Sequence, residues 1–119
     1  MTDPGITAAP LRFGRDRRLL TKFDFERVFK EGRRAFAKGL LVYVAVSPVA
    51  MARIGLVTSR RFGNAVHRNR ARRLLRESFR LKQHELPPLD IVALPQGGFP
   101  DSMAGAQRAL LEAIARATR

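Results

Sequence analysis

The chain has 119 residues, 45% of them hydrophobic, which suits one domain with a modest core and excludes a disordered polymer. It carries 23 Lys and Arg against 10 Asp and Glu, a net charge of +13, so it repels itself and needs a polyanionic partner. With no cysteine there is no disulfide, no cysteine zinc site and no thiol nucleophile.

Residues 1–17 hold no apolar segment of the signal-peptide kind, and Pro4, Gly5, Pro10 and Gly14 break any periodicity. They are expected to form a mobile basic tail, with Arg12, Arg15 and Arg17, ahead of one domain over 18–119. Thr21 is a good N-cap, Asp24 stands where a capping box wants an acceptor, and Leu20 with Phe25 can form the hydrophobic staple. A short helix is expected from there to Gly32, a natural stop. Phe25, Val28 and Phe29 share one face of it, with Arg27 and Lys30 away from that face.

Residues 40–46 (Leu-Leu-Val-Tyr-Val-Ala-Val) read as a strand, apolar on both faces, with Leu41, Tyr43 and Ala45 on one of them. Residues 33–39 have room for a short extra strand. Pro48 marks a turn, residues 53–59 read as the next strand, and the short link predicts an antiparallel hairpin between the two. Phe62-Gly63-Asn64 then turns into a long helix, 65–84, ended by Pro87-Pro88. Residues 90–94 are a short apolar strand, so strand, helix and strand make a βαβ unit with parallel strands. After a glycine-rich loop, Asp101 or Ser102 caps a last helix reaching Ala117, with Ala106, Leu110 and Ile114 turned inward. The class is α+β: a single-domain α-β-β-(β)-α-β-α sandwich with a βαβ crossover.

The long helix is the most one-signed part of the chain. From Arg60 to Lys82 there are nine Lys or Arg and one acid, Glu77. Its apolar set is Ala71, Leu74, Leu75, Ser78 and Phe79. At ~100° per residue, with Arg68 as zero, Arg72 falls near ~40°, Arg76 near ~80°, Asn69 near ~100°, Arg80 near ~120° and Arg73 near ~140°. These residues form one basic stripe centred on Arg72 and Arg76, while Arg70 sits at the other edge of the apolar face and is expected to have a different partner. Like charges at 68, 72 and 76 repel at i, i+4 spacing, an arrangement that costs stability without an anion. Arginine suits bidentate phosphate contact and stacking on bases. A membrane-surface helix needs large apolar residues free to insert, whereas this apolar face is needed by the sheet and the chain has no Trp. Structured RNA is the favoured partner.

Phe25 and Phe29 read either as core or as rings for bases, and Tyr43 suits a half-exposed sheet surface. His67 and His84 have no companions at metal-ligand spacing. No nucleophile with a base and no phosphate-binding P-loop is present, so no catalytic residue and no metal ligand is expected.

The stretch Ser59-Arg60-Arg61-Phe62-Gly63-Asn64-Ala65-Val66-His67-Arg68-Asn69-Arg70-Ala71-Arg72-Arg73-Leu74-Leu75-Arg76-Glu77 resembles the protein subunit of bacterial ribonuclease P. The likeness extends through Phe25, Val28, Phe29, Gly32, Tyr43 and Asp90-Ile91-Val92, over residues 18–115. It implies a partner, the large catalytic RNA subunit, which with Mg2+ removes the 5′ leader of precursor tRNA, the ions being held mainly by the RNA. It implies that Arg60, Arg61, Arg68, Asn69, Arg70, Arg72, Arg73 and Arg76 dock on that RNA, and that Phe25, Phe29 and Tyr43 face the single-stranded leader. It also implies a ribosomal-protein-like RNA-binding fold, a left-handed βαβ crossover against the usual rule, a monomer in a 1:1 complex, a cytoplasmic location and no membrane. Leu94-Pro95-Gln96-Gly97 departs from the family pattern, in which a basic residue follows the last strand. Two other readings are a ribosomal or RNA-chaperone protein with no role in cleavage, which explains the charge but not a leader cleft, and a protein-only nuclease, which lacks its acid cluster.

Overall fold

The computed structural model describes residues 21–119; the basic tail expected over 1–17 and the staple through Leu20 lie outside the described residues. The elements are α1 (Lys22–Glu31), β1 (Arg33–Ala37), β2 (Leu40–Val46), β3 (Arg53–Leu56), α2 (Ala65–Lys82), β4 (Leu89–Pro95) and α3 (Met103–Ala117). Short 3-10 turns at Arg60–Phe62 and Gln83–Glu85 flank α2.

Side-chain oxygens cap the three helices. Thr21 Oγ1 accepts from the Asp24 amide at 3.0 Å, Asn64 Oδ1 from the His67 amide at 2.9 Å, and Ser102 Oγ from the Gly105 amide at 3.1 Å. Gly32 does end α1, but with an ordinary φ of −77°. A Cβ there would lie 2.4 Å from the Val28 carbonyl oxygen and 3.1 Å from that of Val44, so glycine lets the chain pass close beside β2.

The sheet has four strands in the order β1-β2-β4-β3. The β3–α2–β4 unit is the expected βαβ, with β3 and β4 parallel. The expected hairpin between residues 40–46 and 53–59 does not form. Instead β4 lies between β2 and β3 and pairs antiparallel with β2 over its whole length. Its burial agrees with a central place: Ile91, Val92 and Ala93 are all fully buried, covered on both faces. The hairpin partner of β2 is β1, through a two-residue turn at Lys38 (φ 50°) and Gly39 (φ 78°). That turn is pinned, because Gln96 donates its amide to the Gly39 carbonyl at 2.8 Å.

The two faces of the sheet are covered unequally. One face packs Leu40, Val42, Ile54, Ile91 and Ala93 against Leu75 and Phe79 of α2 and Ala109, Leu110, Ala113 and Ile114 of α3, and this is the main core. Among the described residues the other face is packed by α1, through Val28 against Val92, with Phe25, Tyr43, Ala45, Val57 and Leu94 only partly buried around them. At the sheet edge, Arg116 of α3 donates to the outward carbonyl of Phe36 in β1 at 2.7 Å, and Glu112 holds Arg116 at 2.6 Å.

Candidate nucleic-acid interface

The strand β3 leads into the basic motif. Arg60 and Arg61 stand exposed on the 3-10 turn. Gly63 follows, where a Cβ would come within 2.9 Å of the His67 side chain. His67 packs its ring edge-on against Phe62, 4.5 Å between centroids, which closes the turn into α2. It therefore has a packing role, and among the described residues it belongs to no group of three or more His, Cys, Asp or Glu that could hold a metal ion.

Along α2 the buried residues are Ala71, Leu74, Leu75, Ser78 and Phe79, the set expected from periodicity. Ser78 satisfies its hydroxyl on the Leu74 carbonyl at 2.7 Å, which explains a polar residue on that face. The stripe sits further round than expected. Phe79 is fully buried and draws the protein side of the helix toward Arg68 and Arg72, which are half-buried. The outermost residues are Asn69, Arg73 and Arg76, so the stripe centres on them and not on Arg72 and Arg76. A shallow groove of about 320 Å³, lined by Val66, Asn69, Arg70 and Arg73, runs along the outer side.

The charges on α2 fall into two groups. Among the described residues, Arg60, Arg61, Arg68, Arg72, Arg73 and Arg76 make no ion pair. Two neighbours are committed. Arg70, which the resemblance places among the RNA-docking residues, donates through Nε to Asp101, ahead of α3. Arg80, placed in the stripe from periodicity, is instead gripped by Glu77, with Nη2 to Oε1 at 2.8 Å and Nε to Oε2 at 3.0 Å. That bond from Arg80 holds the Glu77 carboxyl below its ordinary range, and the Arg80 guanidinium is raised in turn. What α2 presents outward is thus a strip of five residues, Arg68, Asn69, Arg72, Arg73 and Arg76, continued by Arg60 and Arg61.

The second surface is the open face of the sheet. Phe29 is 39% exposed and meets Tyr43 edge-on, 4.9 Å between centroids. Phe25 is partly buried beside them. The structure therefore brings Phe25, Phe29 and Tyr43 together on one face, none of them in the main core.

Their geometry depends on a buried ion network that joins α1 to β3 and β4. Asp90, fully buried at the start of β4, accepts from Arg53 Nε at 2.8 Å and Nη2 at 2.8 Å, and from Arg27 of α1. Asp24 of α1 approaches Arg53 at 3.6 Å. Arg27, expected to lie away from the packed face, instead turns inward and also reaches the Val46 carbonyl at 3.4 Å. The bond to Asp90 raises the Arg53 guanidinium above its ordinary value, against the smaller opposing effect of burial. This network ties α1 to β3 and β4 and so fixes where Phe25 and Phe29 stand. The signal available in the sequence was Asp90 itself, an acid opening an otherwise apolar strand.

A family model for ribonuclease P matches residues 13–118. The chain belongs to the ribonuclease P protein family. It is 40% identical over 110 residues to the ribonuclease P protein component of Klebsiella pneumoniae, which spans 92% of this chain and 90% of the relative. The RNase P protein of Thermotoga maritima superposes with a TM-score of 0.74 at 30% identity, over 83% of this chain and 96% of that one. A mutant of the Staphylococcus aureus RNase P protein with defective mRNA degradation activity superposes with a TM-score of 0.78 at 26% identity, over 87% of this chain and 89% of that one. The α+β architecture with its four-stranded sheet and three helices is thus the architecture of ribonuclease P proteins.

For a ribonuclease P protein the remaining surface is plain. Among the described residues there is no group of three or more His, Cys, Asp or Glu that could hold a metal ion. The acids nearest the ring cluster, Asp24 and Asp90, are engaged by arginines. Among the described residues no helix is long and apolar enough to cross a membrane.

Proposed function

We propose that this chain is the protein component of ribonuclease P, and that its two surfaces divide the work. The strip of Arg68, Asn69, Arg72, Arg73 and Arg76, with Arg60 and Arg61, docks on the RNA subunit. The open face, with Phe25, Phe29 and Tyr43, holds the single-stranded 5′ leader of precursor tRNA. Hydrolysis belongs to the RNA subunit with its Mg2+, and the protein supplies binding and orientation. The complex is 1:1 with a monomeric protein and works in the cytoplasm.

The observation that carries this reading is the run of six motif arginines without a carboxylate partner among the described residues, together with the Phe29–Tyr43 ring pair on the less covered face of the sheet. Arginines held at i, i+4 spacing without acids repel one another, and an anion laid along them removes that cost. Partly exposed rings on a sheet face suit stacking of unpaired bases, and cations elsewhere on the surface suit their phosphates.

The test is reconstitution with a bacterial ribonuclease P RNA at low Mg2+, scoring leader removal. The protein should restore cleavage. Phe29→Ala should weaken binding of leader-bearing precursor and spare mature tRNA. A protein that binds precursor and mature tRNA equally in the reconstituted complex would instead be a general RNA-coating protein.

A further inference from the structure

The open face continues past the ring pair. One row toward the β1–β2 turn, Phe36, Leu41 and Leu94 stand side by side across β1, β2 and β4. Phe36 is 50% exposed, and neither it nor Leu41 belongs to either cluster of the core. The backbone under this row is held on three sides. β1 is laddered to β2, the Phe36 carbonyl is taken by Arg116, and the turn at Gly39 is tied to Gln96. Among the described residues, an aromatic ring is therefore displayed half-exposed on a fixed surface.

A cation stands next to it. Arg34 is two residues back on the same strand, on the same face, directly across from Tyr43. It is exposed, and among the described residues it has no carboxylate partner. The other two arginines reaching this face, Arg27 and Arg53, are committed to Asp90. Rows on one face of a strand are ~7 Å apart. A ring one row beyond Phe29 and Tyr43 is thus a separate seat, not a second wall of the same one.

We propose that Phe36, with Leu41 beside it and Arg34 at its flank, seats a further base of the single-stranded leader. The bound segment then runs across the sheet from α1 toward the β1–β2 hairpin, with a phosphate between the two bases on Arg34. The proposal rests on the reading of Phe29 and Tyr43 as a leader site. The occupant follows from charge: the chain carries +13, the acids of this face are already paired, and a lone ring beside a free guanidinium matches a base and its phosphate.

The experiment uses the reconstituted holoenzyme and precursor tRNAs whose leaders are trimmed one nucleotide at a time. With a long leader, Phe36→Ala should lower precursor affinity by about fivefold to tenfold, the lower end for one stacked base. Phe36→Tyr should restore it and Phe36→Leu should not. Once the leader is too short to reach the second row, the Phe36→Ala and unmodified proteins should bind alike, while Phe29→Ala still weakens binding. Arg34→Gln should flatten the salt dependence for long leaders only. Equal loss at every leader length, or loss on mature tRNA as well, overturns the proposal. So does a Phe36→Ala protein that binds long leaders normally while Phe29→Ala does not, and in that case the leader site itself stands. If neither variant weakens precursor binding at any length, the leader site falls together with the second seat. Dimerisation of the free protein through Phe36, abolished by Phe36→Ala, would assign the ring to a second copy of the chain and also overturn it.

Discussion

Asp90→Ala removes the buried carboxylate that joins Arg27 of α1 to Arg53 of the sheet. The side chain is fully buried and takes two bonds from Arg53, at 2.8 and 2.8 Å, and one from Arg27. Its loss strands two guanidiniums whose side chains are only 13% and 16% exposed, with Asp24, 3.6 Å from Arg53, as the remaining acid. Removing one partner of a buried ion pair costs about 3–5 kcal/mol. Water still reaches both arginines and Asp24 is close, so the lower end applies, about 3 kcal/mol. In a domain of this size each kcal/mol lowers Tm by roughly 4–8 °C, so calorimetry should show a fall of about 12–24 °C. Arg53→Met, which leaves Asp90 its bond to Arg27, should cost less. At temperatures where both proteins are folded, the Asp90→Ala variant should lose affinity for leader-bearing precursor and keep its affinity for the RNA subunit, because α1 carries Phe25 and Phe29 but not α2. A fall of less than about 4 °C, equivalent to under 1 kcal/mol, would refute the clamp.

Further outcomes follow from the same geometry. Arg73→Ala should weaken RNA-subunit binding and reduce the slope of log affinity against log salt by about one, whereas Arg70→Ala, whose charge is shared with Asp101 in an exposed pair, should reduce it by less. Glu77→Gln removes the one acid between Arg60 and Lys82 and should steepen that slope, read in the same titration. Glu77 also links stability to pH. Its folded value lies below the ordinary one, so its contribution is present above the ordinary carboxylate range and is lost as pH falls through the lowered value; acid titration should show the unmodified protein losing its advantage over Glu77→Gln there. Gly39→Ala should destabilise by at least about 2 kcal/mol in denaturant melts, since it forces a left-handed conformation and drives a Cβ to 2.4 Å from the Phe99 nitrogen. Gly97→Ala, where a Cβ meets nothing within 4 Å, is the neutral control.

What could be read in the sequence was what local chemistry decides. Thr21, Asn64 and Ser102 announce helix starts because a cap bonds an amide three residues on. The inward face of α2 follows from spacing alone. The sheet order was not legible, since no local signal says that residues 89–95 enter between 40–46 and 53–56. The tight β1–β2 turn was missed because Lys38-Gly39 is a weaker turn signal than Asn-Gly. Arg27 was misplaced for the same reason, as its partner Asp90 is distant in sequence. Within the site, the arginines were legible as a stripe, but its centre was displaced by the bulk of Phe79. That Phe29 and Tyr43 touch is a tertiary fact, which helical spacing and strand alternation make compatible but do not dictate.

The central position of β4 has a consequence for how the protein is made. Leu40 pairs with Pro95 and Arg53 with Asp90, so beyond the β1–β2 hairpin no part of the sheet can close until the chain is complete through β4. A ribosome releases the chain from its N-terminus, and α2 therefore emerges with all its arginines before the strand that completes the platform beneath it. Such nonlocal pairing is the slow kind. During synthesis the most strongly charged element is thus presented ahead of the layer that gives it a fixed orientation, and specific docking has to wait for the last strand.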